Sequence, residues 1–117
     1  MIMKRISLFS ILSGVCVSFL FSCNQNTQSE HPKVDTVIIQ SMQFQPGELL
    51  VNKFDTVVWI NKGLVAHNVT EFPDQKWTSD TIAAGAIWKK AIDSSFEYLC
   101  TIHPAMRGKI LVKDSNK

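Results

Sequence analysis

From Val34 onward, the sequence is divided into short segments rich in β-branched and aromatic residues, with Pro, Gly, Asn and Asp between them. Short segments of this composition, bounded by turn-forming residues, are typical of β-strands. The predicted strands cover residues 34–40, 42–44, 48–51, 56–61, 67–70, 86–92, 96–100 and 109–113, and residues 72–80 are predicted to form a loop. No segment shows the apolar periodicity of a long amphipathic helix. About seven or eight strands at this spacing predict an all-β Greek-key sandwich or barrel.

The first part of the chain has a different character. Lys4 and Arg5 precede an apolar run over residues 6–21, and the sequence turns polar from Asn24. This pattern predicts a secretory signal peptide over residues 1–22, since the apolar run is shorter than the roughly 20 residues of a membrane-spanning helix. Residues 23–33 are polar and contain Pro32, so we expect a flexible tether there. The 117-residue chain then leaves one small domain, residues 34–117.

The end of the predicted signal peptide carries a further indication. The run Leu20-Phe21-Ser22-Cys23 resembles a bacterial lipoprotein signal. The resemblance implies acylation of Cys23 and an exported protein anchored to a membrane by lipid, on its periplasmic or cell-surface side. The alternative is an ordinary signal peptide cleaved nearby, which would leave Cys23 as a thiol.

The net charge of the chain argues against a nucleic-acid partner. The full sequence has 12 basic and 10 acidic residues, and removal of Lys4 and Arg5 with the signal peptide leaves 10 of each. No clustered Lys/Arg face remains in the mature sequence. We therefore expect no binding of nucleic acid.

The cysteines of the sequence indicate a metal site. Of the three cysteines, Cys16 lies in the apolar run and Cys23 at the predicted lipid site, so Cys100 is alone within the domain. A single cysteine cannot form a disulfide framework. Because a lone thiol is a liability in an oxidising compartment, we expect a metal ion to occupy it.

The residues around Cys100 indicate which metal. Cys100, His103 and Met106 follow one another at intervals of three, and His67 is the other histidine of the domain, since His31 lies in the tether. Two imidazoles and a thiolate with a weak, long axial thioether form the coordination sphere of blue copper sites. Zinc also accepts Cys and His but has little use for Met. This set predicts one type 1 copper ion.

The same residues reveal a family resemblance. The run Cys100-Thr101-x-His103-Pro104-x-Met106-Arg107-Gly108 resembles the copper-binding loop of the cupredoxins, most closely those of the amicyanin, pseudoazurin and plastocyanin group. The resemblance extends upstream through Met42-x-Phe44-x-Pro46, Asp55-Thr56-Val57-x-Trp59-x-Asn61 and His67-Asn68-Val69. It implies that His67, Cys100 and His103 are equatorial ligands and Met106 is the axial ligand. It also implies that the Asn68 backbone amide donates to the thiolate, while its side chain ties the ligand loops together.

The resemblance further implies a function. It predicts a monomeric one-electron carrier, not an enzyme, with one edge of the His103 ring exposed as the port for electrons. Redox proteins such as a cytochrome c, a dehydrogenase, an oxidase or a reductase would dock near His103. Leu64, Val65, Pro104 and Ala105 are candidates for an apolar docking patch around it, although Leu64 and Val65 could instead pack under the loop.

Three other classes of protein compete with this interpretation. A copper binding or delivery protein would share the ligands but release the metal readily. Catalytic copper enzymes need additional His ligands, and a binuclear centre needs a second Cys, which this domain does not offer. A metal-free adhesion sandwich would leave the His, Cys and Met cluster unexplained.

Overall fold

The computed structural model describes residues 31–113. The predicted signal peptide, the predicted acylation of Cys23, the tether up to residue 30 and residues 114–117 lie outside the described residues. No helix between residues 31 and 113 is long and apolar enough to cross a membrane.

Eight β-strands form the described part of the chain, and they pack as two four-stranded sheets. In chain order the strands are β1 (Val34–Gln40), β2 (Gln43–Gln45), β3 (Glu48–Val51), β4 (Thr56–Asn61), β5 (Thr70–Phe72), β6 (Ile87–Ala91), β7 (Phe96–Leu99) and β8 (Arg107–Val112). One sheet has the order β2-β1-β4-β6 and the other β3-β8-β7-β5. The predicted all-β sandwich is therefore confirmed.

The register of the strands defines two ends of the sandwich. β1 runs parallel to β4, and β3 runs parallel to β8, while the remaining neighbours are antiparallel. At the end that we call the upper end, β4 and β7 finish and β8 begins. At the opposite, lower end, β1 and β4 begin and β3 and β8 finish, so the β3–β4 turn over residues 52–55 lies there.

The core lies between the sheets because side chains alternate along each strand. In β4, Val57, Trp59 and Asn61 are buried while the residues between them are half-buried. The Trp59 ring meets the Tyr98 ring of the opposite sheet edge-to-face at 5.6 Å. Within residues 31–113, the buried apolar cluster extends from Val37 to Ile110 and draws on both sheets.

One predicted strand is wrong in its extent. The strand predicted over residues 67–70 begins only at Thr70, and His67 instead forms an isolated antiparallel bridge with Ile82. The backbone N–H groups of Asn68 and Val69 donate to side-chain acceptors, the Cys100 sulfur and the Ser79 hydroxyl. These two donors are therefore not available to a sheet ladder, and the strand cannot extend toward His67.

The loop predicted over residues 72–80 begins only at Pro73, because Phe72 is the last residue of β5, and it is anchored to the sandwich. An isolated bridge joins Thr70 to Thr78. The Trp77 ring packs edge-to-face on Phe96 at 4.9 Å and stacks on Trp88 at 5.8 Å. Aromatic burial of this kind holds the loop against the edge of the core.

Gly108 has a packing role in β8. It pairs with Tyr98 across the β7–β8 ladder, and a Cβ atom added at Gly108 would lie 2.2 Å from Cζ of the Tyr98 ring. The buried tyrosine ring thus lies directly over the glycine. Burial of this phenol raises the pKa of Tyr98 to about 12.

We predict that Gly108→Ala destabilises the fold by about 3 kcal/mol or more, because the added methyl group would displace a fully packed ring. The free energy of unfolding from chemical denaturation measures this effect. Gly47→Ala is the matched control, since the nearest atom to its added Cβ is 3.8 Å away. Equal stability of the two variants would contradict this account of Gly108.

Candidate metal centre

Three side chains with metal-binding atoms meet at the upper end of the sandwich. Nδ1 of His67 lies 3.8 Å from Sγ of Cys100, and Nδ1 of His103 lies 3.9 Å from the same sulfur. The donor atoms of the three residues all lie within 4.8 Å of one another. His67 and Cys100 are 33 residues apart in sequence, so the fold itself brings these ligand atoms together.

The environment of these groups suits a metal. Cys100 and His67 are buried, with exposed fractions of 0% and 1%, whereas His103 is half-buried. Burial lowers the pKa of the His67 imidazole, and the adjacent His103 lowers it further. His67 is therefore neutral at pH 7, which is the form of histidine that binds metal ions.

A tight turn brings Cys100, His103 and Met106 together. The Met106 N–H donates to the His103 carbonyl at 2.9 Å, and the Cys100 N–H donates to the Met106 carbonyl at 3.1 Å. These bonds close the segment between β7 and β8 and bring Met106 back beside Cys100. The Met106 side chain is buried, at 3% exposed.

His67 is held from the opposite side by its backbone and by Asn61. Its N–H donates to the Ile82 carbonyl at 3.1 Å, and its carbonyl accepts from the Ile82 N–H at 2.8 Å. The buried Asn61 amide donates to the carbonyls of Val65 and Ile82 at 2.8 and 2.9 Å and accepts from the Gly63 N–H. Asn61, at the end of β4, therefore fixes the loop that leads into His67.

Asn68 connects the two segments that carry the metal-binding atoms. Its backbone N–H lies 3.4 Å from Sγ of Cys100 and donates to it. Its side-chain amide donates to the Thr101 hydroxyl at 2.7 Å, and its side-chain oxygen accepts from the Thr101 N–H at 2.8 Å. These three bonds fix the His67 segment and the Cys100 segment relative to each other.

The donor geometry fits a metal ion of the predicted kind. Bonds of about 2.0 Å to nitrogen and 2.3 Å to sulfur, about 120° apart, place nitrogen and sulfur about 3.7 Å from each other. The two distances in the structure, 3.8 and 3.9 Å, are close to this value. Copper in electron-transfer sites prefers a trigonal set of two imidazoles and one thiolate, with a methionine nearby.

The structure brings together His67, Cys100 and His103, with Met106 in the same turn and the Asn68 backbone N–H bonded to the Cys100 sulfur. Asn61, Ile82 and Thr101 support these residues but were not among the predicted site residues. Asn61 was visible in the sequence only as part of a family motif, because its role depends on a contact with Ile82, 21 residues away. Thr101 was likewise visible only as part of the copper-loop motif, because its role depends on contacts with Asn68, 33 residues away.

Comparison with known proteins supports the cofactor assignment. An amicyanin from Paracoccus versutus is 31% identical over 84 residues, which cover 64% of this chain and 61% of the amicyanin. An amicyanin from Paracoccus denitrificans is 34% identical over 85 residues, covering 66% and 63%. The chain thus spans less than two thirds of the length of these two relatives.

Solved structures agree with the same assignment. The Cu(I) form of an amicyanin variant with alanine in place of methionine is 28% identical, with a TM-score of 0.63 and coverage of 68% of this chain and 82% of that protein. A purple cupredoxin from Nitrosopumilus maritimus has the same TM-score of 0.63 at 21% identity, covering 68% and 99%, and shows the shared fold.

The family of copper binding proteins described as the plastocyanin/azurin family matches residues 32–113, which is the part of the chain that forms the sandwich. The predicted copper cofactor is thereby confirmed. The prediction that the protein is not an enzyme is confirmed by the same family, whose members are copper binding proteins. The chain belongs to the plastocyanin/azurin family of copper binding proteins, the cupredoxins.

Proposed function

We propose that the protein is a one-electron carrier that works outside the cytoplasm. The observation that carries this proposal is the ligand cluster itself, in which both Nδ1 atoms already lie at trigonal distances from the Cys100 sulfur. Bound copper would supply the one-electron chemistry by alternating between Cu(II) and Cu(I). Similarity to two amicyanins supports the proposal.

In this proposal His67, Cys100, His103 and Met106 would hold the copper ion, with two imidazoles, one thiolate and one thioether. Thiolate and thioether sulfur suit Cu(I), and imidazole nitrogen suits Cu(II), so the set accommodates both oxidation states. The Asn68 and Thr101 bonds, together with the Ile82 bridge to His67, restrain the ligands. Restraint of this kind keeps the ligand atoms in place when the charge of the metal changes.

The surface around His103 suits brief contact with a redox partner. His103 is half-buried, whereas Leu64 is 96% exposed, Val65 49% and Ile102 47%. Met42, 48% exposed at the β1–β2 turn, lines a hollow with Leu64 and Val65 beside His67. A small apolar surface favours short-lived complexes. Redox proteins of the cytochrome c, dehydrogenase, oxidase or reductase type are the partners we propose for a monomeric carrier.

The location that we propose follows from the N-terminal sequence. Residues 1–22 resemble a lipoprotein signal peptide, and Cys23 would then carry the lipid. The protein would be exported and held by its lipid at the periplasmic or cell-surface side of a membrane. Residues 23–33 would act as the tether of the domain, residues 34–117.

A copper delivery protein with the same ligands is the alternative function. The two functions differ in electron self-exchange and in metal retention. A carrier with restrained ligands exchanges electrons rapidly between its Cu(I) and Cu(II) forms and keeps its copper against a chelator. Nuclear magnetic resonance line broadening in mixtures of the two forms measures the exchange. Slow exchange with rapid loss of copper would favour delivery.

The chain beginning at Asn24 should turn intensely blue when Cu(II) is added. A thiolate bond produces this absorption, and electron paramagnetic resonance should show the narrow copper hyperfine splitting of a type 1 centre. Cys100→Ser should abolish the blue band because it removes the thiolate. A colourless wild-type product with a tetragonal Cu(II) signal, and Cys100 still open to alkylation, would contradict the proposed ligand set.

Replacement of Met106 tests the axial position. Met106→Gln should lower the reduction potential, because a harder oxygen donor favours Cu(II) over Cu(I). Protein-film voltammetry measures the shift. Leu50→Gln is the control, since Leu50 is exposed on β3 near the lower end, away from the ligand segment. An unchanged potential in Met106→Gln would show that Met106 is not coordinated.

Replacement of Asn68 tests the connection between the ligand segments. Asn68→Ala removes both side-chain bonds to Thr101, and we expect a loss of copper affinity of about 10–100-fold, the usual effect of losing an outer-shell partner. Competition with a Cu(I) chelator measures the affinity. Asn52→Ala, in the turn at the lower end, should leave it unchanged. Equal affinities of the two variants would show that Asn68 does not support the site.

A further inference from the structure

The turn at the lower end, between β3 and β4, presents an aromatic side chain to solvent. Phe54 is 61% exposed, and its backbone has a φ of 73°. A bulky residue rarely adopts this left-handed conformation, because its Cβ crowds the backbone. Such strain persists only where the surrounding structure imposes it, and it is frequent where a side chain has a function.

Hydrogen bonds on both sides of Phe54 impose this conformation. The Phe54 N–H donates to the Ile92 carbonyl at 2.6 Å, and the Asp55 N–H donates to the Asn52 carbonyl at 3.2 Å. The Asp55 carboxylate accepts from the backbone N–H groups of Lys33 and Asn52, each at 2.8 Å. The turn is thus fixed on the sandwich with its aromatic ring directed away from the core.

Lysine residues lie at this turn, and one of them contacts the ring. Nζ of Lys53 lies 5.3 Å from the centroid of the Phe54 ring. The backbone hydrogen bond from Lys33 lowers the pKa of Asp55, and the positive charges of Lys33 and Lys113 lower it further, so both lysines lie near this turn. Asp55 itself is 2% exposed. The ammonium groups are therefore the positive charges exposed at the turn, while Asp93, which follows Ile92, is an exposed acidic residue beside it.

Two further features of the lower end point to the nature of its partner. Val34, at the start of β1, is 68% exposed, and Leu50, near the end of β3, is 55% exposed. The chain enters the sandwich at this end, since Lys33 is bonded to Asp55 and its carbonyl accepts from the Thr56 N–H. Exposed apolar and aromatic side chains among lysines are the composition of surfaces that lie on anionic bilayers.

We propose that the lower end, formed by Phe54, Val34, Leu50 and the lysines 33, 53 and 113, docks on the surface of an anionic lipid bilayer. Phe54 inserts among the lipid headgroups while the lysines contact their negative charges. Because the ligand cluster lies at the upper end, His103 then faces away from the bilayer toward partner proteins. This orientation rests on the membrane location proposed above but needs no acyl chain on Cys23.

Vesicle sedimentation tests the proposal with the chain beginning at Asn24, which retains all eight strands of the sandwich. The protein should bind vesicles of phosphatidylglycerol and phosphatidylcholine more tightly than vesicles of phosphatidylcholine alone, and added salt should weaken binding. Lys53→Gln should weaken binding to the anionic vesicles about fivefold, the effect of one lysine near a charged surface. Asp93→Asn should strengthen it, since Asp93 is an exposed acidic residue next to Ile92.

Phe54→Gly is the decisive variant. It should weaken binding to anionic vesicles by several-fold, because it removes apolar surface from the contact. It should not lower the temperature of thermal unfolding, because glycine adopts the positive φ without strain. Leu64→Gly and Lys62→Gln, at the upper end, are the matched controls and should bind like the wild type.

Absence of binding to anionic vesicles would overturn the proposal, and so would equal losses in Phe54→Gly and Leu64→Gly. Binding that Phe54→Gly leaves unchanged would also overturn it, because the contact with the bilayer would then not involve this turn. The visible spectrum of the copper-loaded variants separates this test from that of the electron carrier. A colourless protein that still binds vesicles through Phe54 would contradict the carrier function and leave the docking surface intact.

Discussion

The site depends on the connection that Asn68 makes between two distant segments of the chain. One backbone N–H to the Cys100 sulfur and two bonds to Thr101 join the segment that carries His67 to the turn that carries Cys100, His103 and Met106. The Asn68 N–H cannot serve a sheet ladder as well, which is why β5 begins only at Thr70. Beside the metal centre, these hydrogen bonds therefore take the place of a regular sheet ladder, and they orient the ligands.

The two ends of the sandwich have different chemistry. The upper end has buried ligand atoms beneath a half-exposed His103 and a small apolar surface. The lower end has a strained, exposed Phe54 beside Lys53, at the point where the chain enters the sandwich. The core lies between the two ends, with Trp59 and Tyr98 packed across the sheets. In our proposals, the lower end therefore contacts lipid and the upper end contacts redox partners.

Much of this arrangement could be predicted from sequence because its signals are local. Alternating β-branched residues predicted most of the strands. The spacing of Cys100, His103 and Met106 indicated the copper site and the family. Long-range contacts left no comparable signal. The bridge from His67 to Ile82, the bonds of Asn61 and the contact of Gly108 with the Tyr98 ring join residues that only the folded chain brings together. The left-handed backbone of Phe54 was hidden because nothing in its residue type favours that conformation.

X-ray absorption spectroscopy at the copper edge, in both oxidation states, tests the central claim most directly. The claim is that the polypeptide holds two imidazoles and one thiolate in a fixed trigonal arrangement. The predicted result is two nitrogen ligands and one short copper–sulfur bond in Cu(II) and in Cu(I), with nearly the same distances. A Cu(II) centre with only nitrogen and oxygen ligands, or a ligand set that changes on reduction at neutral pH, would contradict it.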